Sequence, residues 1–376
     1  MSEYQYYEFQ AIDRRLTEEE QSHIRSLSRR VALTPTQAVF TYSFGDFRSD
    51  PRKVLEEYFD AMLYLANWGT KQLAFRLPRS LLQVEALAPY CFPHAISTSV
   101  TGDHVILDIH LNEEEGVGWI EGEGSLSSLV GLRQDLLYGD FRLLYLAWLK
   151  AAQLEEGMEN GAEQLEPPVP PNLRNLSGPL QSFVELFEID EDLIAAAAEA
   201  SPQQTAAELR VEELIARLSE EERNDYLIRL ARGEPHVSVQ LVSRLRELSQ
   251  EGRKGEAPAA AHRRTLSELF AAARERSRRR QEQQRQEAER ARIRKLEALA
   301  EKAPELWVQI SALIEKKQTK AYDEAVAMLK ELHELAKHRG QVDRFTSRVN
   351  QIQEEYRNRP ALLSRLRDAG LVKGEK

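Results

Sequence analysis

Eight arginines crowd one stretch of the sequence: Arg276, Arg278, Arg279, Arg280, Arg285, Arg290, Arg292 and Arg294. A guanidinium stays charged and donates through a planar fork that matches phosphate and carboxylate, so the chemistry these residues offer is the binding of an anion. Glutamates are interspersed. Glu275 precedes Arg279 by four residues, the order that favours an ion pair on a helix, and no aromatic residue interleaves to stack on a base. The pattern fits first a solvated helical spacer or coiled-coil arm that meets another protein, and second a contact to nucleic acid.

Other polar clusters carry less. His104, Asp108 and His110 alternate along one edge of an expected strand, followed by Glu113, Glu114 and Glu115. A strand sets its ends about 20 Å apart over six residues, too far for one metal ion to bridge both histidines, so a solvated sheet face is expected. Cys91 and His94 have ligand types at a usable spacing but no second pair. Glu121, Glu123 and Asp140 sit near glycines, where carboxylates are ordinarily turn or surface residues rather than an acid and base pair. Trp68, Trp119, Trp148 and Trp307 are expected to be packing anchors. No catalytic residue, cofactor or metal is assigned, and the chain reads as a non-enzyme.

The elements that would position these residues follow from composition and periodicity. The 376 residues allow two or three domains, and a single cysteine excludes an intrachain disulfide. The opening residues lack a basic segment followed by an apolar one, and no run nears the roughly 18 apolar residues that cross a bilayer. A cytoplasmic protein without membrane contact is expected. Charge is divided unevenly: the net charge is −10, residues 263–302 carry +6, and the remainder therefore carries −16. Such asymmetry concerns partners rather than fold.

Residues 1–154 read as an α+β domain with helices on one face of a mixed sheet. A strand is expected over residues 4–12, and a helix after the capping box of Thr17 and Glu20. A strand follows over residues 38–44. An amphipathic helix from Pro51 then carries Leu55, Tyr58, Phe59, Met62, Leu65 and Ala66 and closes at Gly69. A short strand over residues 73–77, a short helix over 81–87 and a hairpin over 96–111 come next. Two helices over residues 126–154 complete the domain, which lacks the glycine turn of a dinucleotide fold.

Residues 155–178 are acidic and then proline-rich, a stiff linker. Residues 179–250 form a helical region with Asp190 as one N-cap and a capping box at Ser219 and Glu222. Residues 251–262 are a flexible joint. The arginine-rich helix spans 263–302, with one apolar stripe at Leu266, Leu269, Phe270 and Ala273 and another at Ile293, Leu296 and Leu299. Only alanines interrupt Arg, Glu and Gln between them, and Pro304 is expected to end or kink the helix. Residues 303–372 form a helical bundle. Its pair from Trp307 to Gly340 is similar to a tetratricopeptide repeat, so the C-terminal half is all-α with a long charged helix and a TPR-like bundle.

The strings YYEFQAIDRRLTEEE, YLANWGTKQLAFRLP and EPPVPPNL and the terminal AGL, in this order, resemble an uncharacterised bacterial protein family over essentially the whole chain. The resemblance brings no activity and no catalytic residues. It implies an accessory role, since members are often encoded beside SWIM zinc-finger proteins and helicase-like ATPases. Two functions are expected from these readings: a non-enzymatic adaptor or scaffold for protein partners, and, as the alternative, a nucleic-acid-binding accessory subunit of such a system.

Overall fold

A computed structural model of the chain describes residues 4–113, 124–155, 164–202, 211–251 and 263–372. The chain divides into two compact units, Met1–Ser277 and Arg278–Lys376.

In the first unit, seven strands form one sheet in the order β2-β3-β1-β4-β5-β7-β6. They are β1 (Gln5–Gln10), β2 (Val31–Leu33), β3 (Gln37–Tyr42), β4 (Ala61–Ala66), β5 (Thr70–Pro78), β6 (Ile96–Thr101) and β7 (His104–Asn112). Every pairing is antiparallel, so the expected mixed sheet is corrected. Short turns link β4 to β5 and β6 to β7, which antiparallel pairing allows and parallel pairing forbids.

The expectation that fails most plainly is the helix running to Gly69. Helix α2 covers only Pro51–Tyr58, and Ala61–Ala66 is the strand between β1 and β5. Leu63 and Leu65 enter one core while Met62 enters the other. A strand covered on both faces is apolar at almost every position, and such a run contains a helical stripe by accident. Gly69 therefore turns a hairpin. Its φ is +99°, and a Cβ there would lie 2.0 Å from the carbonyl oxygen of Glu113, so both backbone conformation and space demand glycine.

Helices cover both sheet faces rather than one. Helix α1 (Glu18–Leu27), held by the expected capping box, packs with α2 over Phe9, Phe40 and Met62. The opposite face, with Tyr6, Leu63, Phe75 and Leu107, is covered by α4 (Ser125–Leu129), α5 (Gly131–Leu137) and α6 (Arg142–Leu154). Three helices thus stand where two were expected. A single turn, α3 (Val84–Leu87), lies between β5 and β6, and α7 (Gly178–Leu186) and α8 (Glu191–Ala198) join the same core through Phe183, Phe187 and Leu193. Helices α9 (Val211–Arg217), α10 (Glu220–Ala231) and α11 (Val237–Glu251) follow, with a small cluster of Leu214, Leu218, Leu245 and Leu248.

The segment expected as a stiff linker is packed at alternating points where it is described, with Leu165 and Pro168 exposed between buried residues. Glu166, Pro167 and Pro170 are buried, and Tyr90 donates to the carbonyl of Pro168 at 2.9 Å. Glu166 explains why. Its carboxylate takes both Nε and Nη2 of Arg264 at 2.8 Å and the Tyr145 hydroxyl, while its backbone N–H donates to the Arg264 carbonyl at 2.9 Å. Burial, and then the charge of Glu166, pushes the Tyr145 phenol far above its ordinary value and keeps it a donor.

Helix α12 runs from Leu266 to Glu315 without interruption, so Pro304 neither ends it nor starts a new helix at 306. The missing N–H of a proline removes one bond, which the turns on either side tolerate. In the second unit the last turns of α12 share a core with α13 (Thr319–His338), α14 (Val342–Glu355) and α15 (Pro360–Asp368), built on Ile310, Ile314, Leu329, Val349 and Leu362. Pro360 opens α15 at its first turn instead of merely stopping α14. Arg359 donates to the Ile314 carbonyl at 2.5 Å and pairs with Glu315 at 3.0 Å, placing a cation at the carboxyl end of α12.

Candidate interaction surface

Helix α12 starts at Leu266, three residues after the start expected at residue 263. Thr265 and Glu268 form a reciprocal cap: the Thr265 N–H donates to the Glu268 carboxylate at 2.8 Å and the Glu268 N–H to the Thr265 hydroxyl at 3.3 Å. Leu266, Leu269, Phe270 and Ala273 then enter the core of the first unit, and Leu296 enters that of the second. Between them, residues 278–292 are exposed without exception. Arg, Gln, Glu and Ala are strong helix formers, which lets a segment with no buried face remain helical.

The structure sorts the eight arginines. Arg276 belongs to the first unit, where its Nη1 lies 2.7 Å from Glu199 on the wall of a cavity of about 660 Å³ between α7 and α8. Arg278, Arg285 and Arg292 are spaced by seven and share a side of α12 with Glu282 and Glu289. Arg278 lies 4.0 Å from Glu282, and Arg292 lies 3.7 Å from Glu289 and 3.5 Å from Glu334. At about 100° per residue, Arg279, Arg280, Arg290 and Arg294 fall within an arc of roughly 100° on the other side. The acid among them, Glu287, accepts from Gln283 at 3.0 Å. Arg285, Arg290 and Arg294 form no ion pair among the described residues. The arginine surplus is therefore larger on the second side, four arginines to one glutamate against three to two, a distinction that counting charges along the sequence does not reveal.

The other polar clusters remain bland. His104, Asp108 and His110 lie along β7, where Asp108 accepts from Gln72 at 2.8 Å. Burial, with help from Arg76, lowers the His104 pKa. Among the described residues no group of three His, Cys, Asp or Glu side chains could hold a metal ion. Cys91 faces the Leu87 carbonyl and the Thr98 hydroxyl. Asp140 accepts the backbone N–H of Arg142 at 3.0 Å and is gripped by the same residue's guanidinium, so it serves the start of α6. Glu121, Glu123 and Trp119 lie outside the described residues. Trp148 is a core residue, but Trp68 is not the anchor expected, being 47% exposed. Trp307 is half-buried beneath the Arg348 guanidinium, 4.2 Å from the ring centroid.

Buried charge clusters were missed, the Glu166 and Arg264 pair among them, and a second borders a cavity. Lys71 and Lys150 are buried and meet two carboxylates at a cavity of about 780 Å³ that is also lined by His94 and His110. Lys150 pairs with Glu113 and donates to the Glu188 carbonyl at 3.1 Å. Lys71 lies 3.4 Å from Glu188 and 3.9 Å from Glu113. The signal was legible: Lys71 occupies an inward position of a strand continuing Leu73, Phe75 and Leu77, and Lys150 interrupts the apolar LLYLAWLKAA. Two cations meet two anions, so the cluster offers a ligand no net charge and acts as a clamp between β5, β7, α6 and the turn after α7.

Comparison of the chain with family models, curated proteins and solved structures finds no match.

Proposed function

We propose that this protein is a non-enzymatic adaptor of the bacterial cytoplasm, and that α12 presents its more basic face, that of Arg279, Arg280, Arg290 and Arg294, to an acidic protein surface. The observation that carries the reading is residues 278–292, fifteen consecutive helical residues exposed on every side between two segments that are anchored in cores. Such a segment contributes nothing to either core, and its guanidiniums are exposed where the carboxylates of a partner can reach them. The segment from Trp307 to Gly340 would form the tetratricopeptide-like pair, and no described helix is long and apolar enough to cross a membrane.

The test compares two sets of substitutions in the full chain: Arg279, Arg280, Arg290 and Arg294 to Gln, and Arg278, Arg285 and Arg292 to Gln. Crosslinking and light scattering with host lysate should show a protein complex that the first set abolishes and the second largely keeps. A chain that stays strictly monomeric and captures no protein sinks the reading. A second reading, an accessory nucleic-acid subunit of a helicase-like or SWIM zinc-finger system, is favoured by the unpaired Arg285, Arg290 and Arg294. It requires that nuclease treatment remove the captured material and that capture weaken steeply with salt.

A further inference from the structure

We propose a second binding site, far simpler in composition than α12, in the first unit: the cavity beside the end of β3 takes a segment of single-stranded nucleic acid. The cavity measures about 780 Å³ and is lined by Arg29, Arg30, Arg48, Tyr42 and Phe44. Arg29 and Arg30 lie between α1 and β2, and Arg48 lies in the loop before α2. All three are exposed, and none forms an ion pair among the described residues. The one acid on the wall, Asp46, accepts from Gln5 at 2.8 Å. Three guanidiniums around one carboxylate leave an excess of two positive charges in a concave surface, where the field of like charges is focused and an anion is attracted.

Phe44 decides which anion. It is 70% exposed, as much as any large apolar side chain described. An exposed phenyl ring beside unpaired guanidiniums matches an unpaired base flanked by its phosphates: the base stacks on the ring, and each phosphate meets an arginine fork. A duplex keeps its base faces stacked on one another and has none to offer. A run of acidic residues satisfies the arginines but supplies no aromatic face for Phe44. The arginines and the ring are all exposed to solvent, so the site suits a strand that runs across it better than an enclosed small molecule. Phe44 stacks equally well on any base, and binding should be largely indifferent to sequence.

The probe is a fluorescein-labelled twelve-residue oligothymidylate, and its ribouridylate counterpart, followed by anisotropy with the full chain. Neutralising three phosphates of a single strand gives a salt slope near −2, hence about 20-fold weaker binding at 200 mM than at 50 mM salt. Replacing Arg29, Arg30 and Arg48 together by Ala should remove most of that salt dependence. Phe44→Ala should weaken binding at least about 5-fold, and Phe44→Trp should restore or improve it. All four side chains are exposed, so these variants should keep the fold, which circular dichroism checks. The proposal is overturned by several results. One is no binding at 50 mM salt. Another is binding that ignores these substitutions but vanishes when Arg279, Arg280, Arg290 and Arg294 become Gln. It also fails if a blunt duplex, ATP or polyglutamate competes as well as the oligonucleotide.

Discussion

The pair formed by Glu166 and Arg264 should be worth several kilocalories, because both ends of the connection it makes depend on it. Glu166 is 2% exposed and Tyr145 not exposed at all, while the Arg264 side chain keeps 23% of its surface in solvent. Glu166→Ala leaves the backbone bond to Arg264 intact but strips the guanidinium of two 2.8 Å contacts and the Tyr145 hydroxyl of its acceptor. Breaking a buried pair costs about 3–5 kcal/mol, and the partial solvation of Arg264 together with its 3.1 Å contact to the Ala196 carbonyl puts this case at the lower end. Arg264→Ala is harsher on charge, since the carboxylate then stays buried with only Tyr145 to donate to it. It should cost about as much or more. The two losses should not add, and a coupling of about 2 kcal/mol is expected for groups in direct contact. Urea unfolding in a Trp307→Phe background makes tryptophan fluorescence report the first unit, where Trp148 packs beside Tyr145. Single losses below about 1 kcal/mol with additive effects would refute the claim that this pair fastens residues 164–170 to the start of α12.

Other consequences are as direct. The Glu20 carboxyl is held down to about 2, chiefly by its bond to Arg14 and, against burial, by Thr17. A depressed carboxylate stabilises the fold fully above about pH 4.3 and loses that contribution as pH falls through its folded value. Thr17→Ala should therefore cost about 1 kcal/mol at neutral pH and move the Glu20 titration upward in a carboxyl-carbon NMR experiment; an unmoved titration contradicts the capping geometry. Gly69→Ala should destabilise the first unit by at least about 2 kcal/mol in urea, combining the left-handed backbone with the 2.0 Å approach to Glu113, and a silent substitution would mean that the hairpin relaxes freely. Pro304→Ala should stabilise the second unit by up to about 3 kcal/mol, seen as a higher melting temperature followed through Trp307. A loss would show that the helix uses the proline.

How much of this was legible in the sequence depends on what each signal measures. Capping boxes at Thr17 and Ser219 and the N-cap at Asp190 stand in the structure as read, because a cap is a local contact between neighbours in the chain. The β6 to β7 hairpin was readable for the same reason: Gly102 supplies the turn, and one arm alternates except at Ile106, which is buried on the other face. Strand β4 was not. Its residues are apolar on both sides, and the period that would distinguish strand from helix is erased by the burial that makes the strand central. Val31–Leu33 is too short to show a period at all.

The long-range charges mark the deeper boundary. Glu166 sits in a proline-rich string whose composition matches a solvated spacer, and nothing within twenty residues of it hints at Arg264. Its partner is 98 residues away, and the bond exists only because α6, α8 and the start of α12 converge. Lys71 and Lys150, by contrast, announced themselves by interrupting apolar patterns, since a charge at an inward position must find a counter-charge or unfold its surroundings. The arginines of α12 lie between these cases. Their number and spacing are sequence facts, and their exposure follows from the absence of an apolar stripe in the same residues. That the surplus charge is larger on one side follows only once the helix is known to run unbroken, because a single kink or stutter between residues 278 and 294 would rotate Arg290 and Arg294 away from Arg279 and Arg280.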